Sequence, residues 1–560
     1  MAQLKLERAS FLPVWRDLGE YILPNRPRFS LSENNRGDRR NLKIIDSTAT
    51  TTIRTLRSGM MSGLTNPARP WFRLTTPDPD LAEMASVKEY LNIVSQRMIY
   101  AFIRSNLYQI LPTEHGDIGT FATGAMSMEE DFQTVSRFYS FPVGSFVIAN
   151  NDRLQVDVFG REFRMTVRQL INRFGMKDPR TGKPNWEAFS KTVRNLFDRG
   201  NYETWIDVAH MIEPNQEFNP DRLESKFKKF ASCYYEIGSA NSGDDRNKYL
   251  SEKGYDYFPI LCPRWETSGE DVYGTDCPGM TMLGDVKQLQ MGEKRGMQAI
   301  EKMVNPPMTG PTTLRNASPS ILPGEITYSD VQDGRAGFRP VHEVNPRIAE
   351  LEGKQEQVRG RIRKAGFEDL FLMLANTQRS GITAREIEER HEEKLLALGP
   401  VLEQLNQDLL DPLIDNQFMI MNRQGMLPEP PPDLQGVELK VEYISVMAQA
   451  QKLVSVGSIE RFAGFVAQAA SVAPEVLDKV DADQMIDIYA DITSVPPGIV
   501  RTDDAVAEIR DSRAKAAQAQ QSAEMIAQGS QAAKNLSQAD MQSDNALTRM
   551  MGGGGMGEAI

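Results

Sequence analysis

Residues 282–304 read MLGDVKQLQMGEKRGMQAIEKMV and residues 348–374 read IAELEGKQEQVRGRIRKAGFEDLFLML, two strongly helical stretches separated by about forty Pro- and Gly-rich residues that cannot be helical. In the first, Leu283, Val286, Leu289, Met297, Ile300 and Val304 recur at helical spacing. Asn305-Pro306-Pro307 stops it, because proline brings no amide hydrogen and its ring collides with the preceding turn. The second opens at Asn345-Pro346, a capping residue followed by proline at the first helical position, and sets Ile348, Leu351, Val358, Ile362, Leu370 and Met373 on one side. At about 1.5 Å of rise per residue the two would be about 35 and about 43 Å long. Opposite the apolar stripes lie cations: Lys287, Lys294 and Lys302 on the first helix, Lys354 and Arg361 on the second, with Arg359, Arg363 and Lys364 beside them. On a lone helix these would be a solvated face; two such helices around an irregular excursion suit a hairpin packed against copies of itself around an axis.

The chain of 560 residues has ample length for several domains. Its 76 Asp plus Glu outweigh 64 Lys plus Arg, net -12, so the surface as a whole does not grip nucleic acid and any DNA contact must be local. Cys233, Cys262 and Cys277 have no C-x-x-C spacing, form neither a disulfide framework nor a zinc site, and suit a reducing compartment. The charged N-terminus is no signal peptide. The longest uncharged apolar run, Phe462 to Ala473, falls short of the roughly 20 residues that cross a bilayer and reads as a buried core helix, so no membrane partner is expected.

In chain order, residues 4–23 read as one amphipathic helix through Phe11, Trp15, Leu18 and Ile22, followed by a loop with Arg26, Arg28, Arg36, Arg39 and Arg40 that is either a disordered basic loop or a partner-binding one. Asp46 caps a helix carrying Ile53, Leu56, Met60 and Leu64, and the prolines of LTNPARPWFRLTTPD force an extended chain. Asp80 and Glu83 make a capping box for a helix with Met84, Val87, Leu91, Val94 and Met98. From 136 the period changes to two, and SRFYSFPVGSFVIA, the turn Asn150-Asn151-Asp152 and RLQVDVFG predict an antiparallel hairpin. Helices near 166–174 and 186–198 and strands near 203–213, 228–237 and 255–262 follow, which makes the fold class α+β. Past the second long helix, Thr383 with Glu386 opens a long helix to Asn422, with Pro400 and Pro412 as kinks. A Pro428–Pro432 linker, a helical domain over 437–510 and an Ala/Gln/Ser-rich tail that is helical in part complete the chain.

Motifs for chemistry are missing. Residues 175–184 (GMKDPRTGKP) have six residues between the glycines and Pro184 where a phosphate loop needs Ser or Thr. Gly552, Gly554 and Gly557 match G-x-G-x-x-G with no strand before them. His115, His210, His342 and His391 are too scattered for a metal cluster or a triad, and Asp244-Asp245 sits in a turn. No enzymatic activity, metal or cofactor is expected.

The segments 15–29 (WRDLGEYILPNRPRF), 46–74 (DSTATTTIRTLRSGMMSGLTNPARPWFRL), 141–175, 272–290 (VYGTDCPGMTMLGDVKQLQ) and 382–405 (ITAREIEERHEEKLLALGPVLEQL) resemble, in order, the portal or head-to-tail connector proteins of short-tailed double-stranded DNA bacteriophages. The resemblance implies a homo-oligomeric ring, usually of twelve chains, at one capsid vertex of the virion, assembled in the bacterial host cytoplasm. It implies a wing over residues 1–281, stem helices at 282–304 and 346–376, a clip at 305–345, a tunnel loop at 377–382, a long wing helix and linker at 383–436, a crown at 437–510 and a tail at 511–560. Its implied partners are double-stranded DNA passing through the channel without sequence preference, a terminase packaging motor at the clip, tail adaptor proteins, and capsid and scaffolding proteins.

In a ring each lysine becomes a collar of identical lysines, and sparse collars in an acidic wall touch phosphates weakly enough to permit sliding. Lys287, Lys294, Lys302, Lys354 and Arg361 are the channel candidates, and Asn376, Thr377, Gln378, Arg379 and Ser380 the polar loop nearest the DNA. A virion-internal or DNA-ejection protein and a packaging ATPase or nuclease are the alternatives from other classes; the first needs a membrane-insertion segment, the second a phosphate loop or a carboxylate cluster.

Overall fold

The computed structural model describes residues 1–31, 41–78, 81–82, 84–175, 186–238, 249–304, 308–309, 339–340, 347–376, 398–434, 436–437, 439–444, 459, 461–470, 475, 479–492, 501 and 503–537. Among them helix and sheet are mixed, as expected of an α+β chain. The N-terminal helix is in fact two, α1 (Ala2–Ala9) and α2 (Leu12–Tyr21). Pro13 explains the break, since it offers no N–H to the Ala9 carbonyl. Trp15, Leu18 and Ile22 are fully buried, and the Trp15 indole N–H donates to the Phe121 carbonyl at 3.0 Å. Helix α3 (Thr48–Leu64) buries Ile53, Leu56, Met60 and Leu64; its N-cap position is Ser47 rather than the expected Asp46, which stands one residue earlier and accepts from the Thr48 amide at 2.8 Å. Strand β1 (Phe72–Thr75) and helix α4 (Ala85–Arg104) follow, with Val87, Leu91, Val94 and Met98 inside; the Asp80–Glu83 box lies outside the described residues.

Helix α5 (Leu107–Phe121) has no counterpart in the sequence reading. Pro112 and the glycines at 116 and 119 make LPTEHGDIGTF look like a loop, yet every residue from Glu114 to Phe121 is buried. Its glycines lie against α3, where a methyl group on Gly119 would come within 2.8 Å of the Leu56 side chain, so tertiary packing outweighs poor intrinsic propensity.

Strands β2 (Met126–Asp131) and β3 (Val135–Ser140) pair antiparallel, and β4 (Phe146–Asn150) with β5 (Val156–Thr166) forms the expected hairpin. The run from 136 does not stay in one strand. It is cut at Pro142-Val143-Gly144, where Gly144 has φ +87°, and its two parts enter different sheets. After α6 (Val167–Phe174) and α7 (Lys191–Asp198), strands β6 (Trp205–Pro214), β7 (Phe230–Glu236) and β8 (Ser251–Tyr255) extend β4–β5 into a five-stranded antiparallel meander, while β9 (Ile260–Leu261) adds to β2. Cys262 and Cys277 are buried free thiols and Cys233 is partly covered.

Next comes α8 (Pro278–Val304), four residues longer at its start than expected. The short pair β10 (Met308–Thr309) and β11 (Arg339–Pro340) is what is described of the excursion. The second long helix is not one rod but two, α9 (Ile348–Ala365) and α10 (Glu368–Asn376), separated at Gly366-Phe367 with Phe367 at φ +54°. A side chain at Gly366 would overlap Thr52, and one at Gly59 would overlap the Phe371 ring, so close contact with α3 bends the chain here. Residues 398–405 are helical, a π turn follows at Asn406–Leu410, and α11 (Asp411–Arg423) completes the long helix. The irregularity falls where Pro412 cannot bond the Asp408 carbonyl, which is the kink expected there. Leu398, Leu402, Leu405, Leu409 and Leu413 are buried.

Residues 437–510 do not open as a helical domain. Strand β12 (Lys440–Tyr443) pairs antiparallel with β1, Phe72 opposite Tyr443, and so ties this segment to the N-terminal body. Helical residues 461–470, α12 (Ala482–Ile492) and α13 (Asp503–Ser537) follow, α13 running unbroken through position 510. Of the apolar run at 462, Val466 is buried but Phe462 and Phe465 are 52% and 67% exposed, which corrects its reading as a core helix.

Candidate functional site

The hairpin of α8 and α9 is rooted in the body at one end. Met282, Val286 and Leu289 of α8 and Val358 and Ile362 of α9 share a buried cluster with Trp15, Leu18, Ile22 and Ile53. Between the two helices Gly292 and Gly296, one turn apart on α8, leave room for α9 to approach: a methyl on Gly296 would stand 3.2 Å from Leu351, and Gln355 is buried there. Gln290 and Arg359 then lock the hairpin to the segment before α3. The Gln290 side chain accepts from the amides of Ile45 (2.6 Å) and Asp46 (2.9 Å) and donates to the Asp46 carbonyl (2.7 Å). Arg359 reaches Asp46 at 2.9 Å and Glu293 at 2.5 Å. Burial works to raise the Asp46 carboxyl, but the bonds from Thr48 and Arg359 hold it below the usual carboxylate range.

Beyond this root the apolar stripe is bare. Met297 is 64% exposed, Ile300 44% and Val304 81%, although they continue the series that Val286 and Leu289 bury. Patches of this kind mark contact surfaces rather than ordinary solvated helix.

The five candidate cations fall into two groups. Lys287 pairs with Asp17 at 2.5 Å beside the Tyr21 ring, and Arg361 makes a forked pair with Asp285 at 2.6 Å. Lys294, Lys302 and Lys354 are exposed and make no ion pair with a described residue. Lys354 and Arg361 flank the buried line of Gln355, Val358 and Ile362 rather than standing diametrically across from it. Asn376 ends α10, and Thr377, Gln378, Arg379 and Ser380 lie outside the described residues, as does His391.

One polar group escaped the sequence reading. Arg26, expected in a basic loop, instead inserts beside α5 and makes a forked pair with Asp117 (2.5 Å) and approaches Glu114 (3.9 Å), both carboxylates being buried. Burial first and then the neighbouring Asp117 push Glu114 up to about 8, and burial takes His115 down to about 4. This cluster is sealed inside the body and holds α2, α5 and β3 together. Among the described residues no group of His, Cys, Asp and Glu could hold a metal ion, and no helix is long and apolar enough to cross a membrane.

Comparison with known proteins bears on this hairpin and the body that carries it. The chain is 47% identical over 555 residues to the "Portal protein" of Salmonella phage epsilon15, covering 99% of this chain and 97% of that one. It is 41% identical over 546 residues to the "Probable portal protein" of Bordetella phage BPP-1, covering 98% and 96%. A family described as "Bacteriophage head to tail connecting protein" matches residues 1–500, and the chain belongs to that family.

Proposed function

We propose that this chain is the subunit of a portal ring, the channel at one capsid vertex through which double-stranded DNA is packaged and ejected and on which the tail docks. The observation that carries the reading is the half-covered hairpin: α8 buries Val286 and Leu289 in its own subunit and leaves Met297, Ile300 and Val304 for a neighbour. Covering such a stripe in every subunit by the next one gives a heterologous, head-to-tail contact, which closes into a ring. Twelve copies are the number expected of such a ring.

In this reading α8 and α9 are the stem and residues 1–281 the wing. Residues 305–345 form the clip that meets the terminase motor and later the tail adaptors, 377–382 the tunnel loop, and 437–510 the crown. Lys294, Lys302 and Lys354, with no partner among the described residues, face DNA phosphates; Lys287 and Arg361 hold the hairpin to α2 and to itself. Lysine ammonium groups on phosphates carry no sequence information, so contact of this kind is sequence-independent and permits sliding. The ring is structural rather than catalytic and belongs to the virion, in contact with capsid and scaffolding proteins. Electron micrographs of the purified chain test the reading: rings with a lumen wide enough for a duplex are expected, and compact globules without a lumen at every concentration overturn it.

A further inference from the structure

A second contact face lies on the body, apart from the hairpin. Helix α4, the β2–β3 turn and the end of α11 enclose a groove of about 500 Å³. Its floor is apolar, with Ala101, Val135 and Met421 buried in it, and its charged lining residues are two cations, Arg97 and Arg104, with no carboxylate among the described residues that line it. Both arginines are spent on carbonyls alone. Arg97 donates to Met426 at 2.6 Å and Arg104 to Gln133 at 3.4 Å, and neither makes an ion pair with a described residue. In a chain that is acidic overall this is a cationic, apolar slot.

Beside the slot stands a bare knob. Phe132, on the turn between β2 and β3, is 96% exposed, three residues before Val135 in the groove floor. The turn that presents it is built rather than loose. The Asp131 carboxylate accepts from the Thr134 amide at 3.1 Å and from the Thr134 hydroxyl at 2.7 Å. Val135 is held at φ +70°, a left-handed conformation that β-branched residues rarely adopt. The Gln133 carbonyl that Arg104 holds lies between knob and floor, so the two keep a fixed relation. A projection fixed in this way loses little freedom on docking. Tyr100 and Ile103, one turn apart on α4, are exposed as well and widen the apolar patch. Asp131, adjoining Phe132, makes no ion pair with a described residue.

From the knob and the slot on one face, matched in shape and in charge, we infer that this face is a two-fold contact between two copies of the chain, Phe132 of each seated in the groove of the other with Asp131 beside Arg97 and Arg104 across the contact. The slot fits an apolar projection flanked by a carboxylate, and the same face carries one. Because knob and slot are neighbours, each copy gives and receives through a half-turn, which is an isologous contact, whereas a ring is closed by heterologous ones. The pairing therefore joins free subunits or two whole rings, not neighbours within one ring, and it does not rest on the ring reading.

The test uses the purified full-length chain, as wild type and as the Met297→Asp, Ile300→Asp variant, so that ring closure and pairing are read apart. Sedimentation equilibrium is expected to show a concentration-dependent pair in both. Phe132→Ser should raise the dissociation constant of that pair about tenfold or more, the effect of removing one aromatic anchor, and Arg97→Glu with Arg104→Glu should weaken it as well. All three side chains are exposed, so circular dichroism should be unchanged. A chain carrying Gln96→Cys and Phe132→Cys, oxidised with diamide and run on a denaturing gel, should give linked pairs and nothing larger, while the wild type with its three native cysteines gives none. Linked ladders of three or more chains would show a heterologous contact and overturn the inference. So would the absence of pairing at every concentration, or an unchanged dissociation constant in Phe132→Ser. Rings that form without any such pairing overturn it too and leave the ring reading standing.

Discussion

Arg264 and Asp408 face each other in a buried fork, the guanidinium donating through Nε at 2.8 Å and Nη2 at 2.9 Å to the two carboxylate oxygens, with side chains only 3% and 8% exposed. Arg264 also donates to the Leu154 carbonyl at 3.0 Å, and Gln404 to Asp408 at 2.8 Å. Asp408 lies within the π turn ahead of Pro412, so the pair fastens the irregular point of the long helix to the segment following β9 and to the β4–β5 turn.

Breaking this pair from one side leaves a buried charge without its counter-ion. Asp408→Ala is expected to cost about 3–5 kcal/mol, read as a loss in chemical unfolding of the isolated subunit. A loss below about 1 kcal/mol, the range of exposed pairs, would show that water reaches the site.

Glu114 gives stability a pH dependence of definite sign. Its folded pKa of about 8 lies above its ordinary 4.5, so the folded chain binds the extra proton and stability falls as pH rises from about 4.5 to about 8. His115 acts on the other side: its folded value of about 4 lies below 6.5, so stability falls as pH drops from about 6.5 to about 4. Glu114→Gln should flatten the alkaline limb and leave the acid limb in place, which melting curves across that range would check. An unchanged alkaline limb would reassign it to another group.

The close approach of α10 to α3 depends on having no side chain at Gly59 beneath Phe371. Gly59→Ala should cost about 1–3 kcal/mol through overpacking. In a Phe371→Ala background the same change should cost clearly less, a coupling that a double-mutant cycle measures. Equal costs in both backgrounds would mean that the alanine acts elsewhere.

Met297→Asp with Ile300→Asp should leave the subunit folded, because both side chains are already exposed, yet abolish ring assembly. Sedimentation velocity and circular dichroism separate the two effects. Rings of normal abundance would show that this stripe is not the contact between subunits.

Lys294→Glu with Lys302→Glu should keep rings intact while altering how much DNA the particles package or retain, with a salt dependence that the wild type lacks in that direction. Lys287→Glu should instead weaken the anchoring of α8 to α2 by losing the Asp17 pair, by up to about 1 kcal/mol at this half-exposed site. Loss of assembly in the Lys294/Lys302 variant would make those lysines interface residues.

Periodicity and proline determined much of this protein directly from its sequence. The α8 stripe ending at Asn305-Pro306, the leucine series from Leu398 to Leu413 and the period-two run into the β4–β5 hairpin are local patterns, and local patterns suffice because each fixes which face one element must bury. Tertiary structure decided the rest. Helix α5 forms despite Pro112, Gly116 and Gly119 because α3 needs small residues to approach. The bend at Gly366-Phe367 comes from Gly366 and Phe371 packing against Thr52 and Gly59 of α3 across about three hundred residues of chain. Arg26 becomes a core cation only because Asp117 is brought beside it. A stripe of apolar residues states that a face is to be covered; whether the cover is the same chain, as for Val286, or a surface left bare, as for Val304, depends on where the body of the subunit ends.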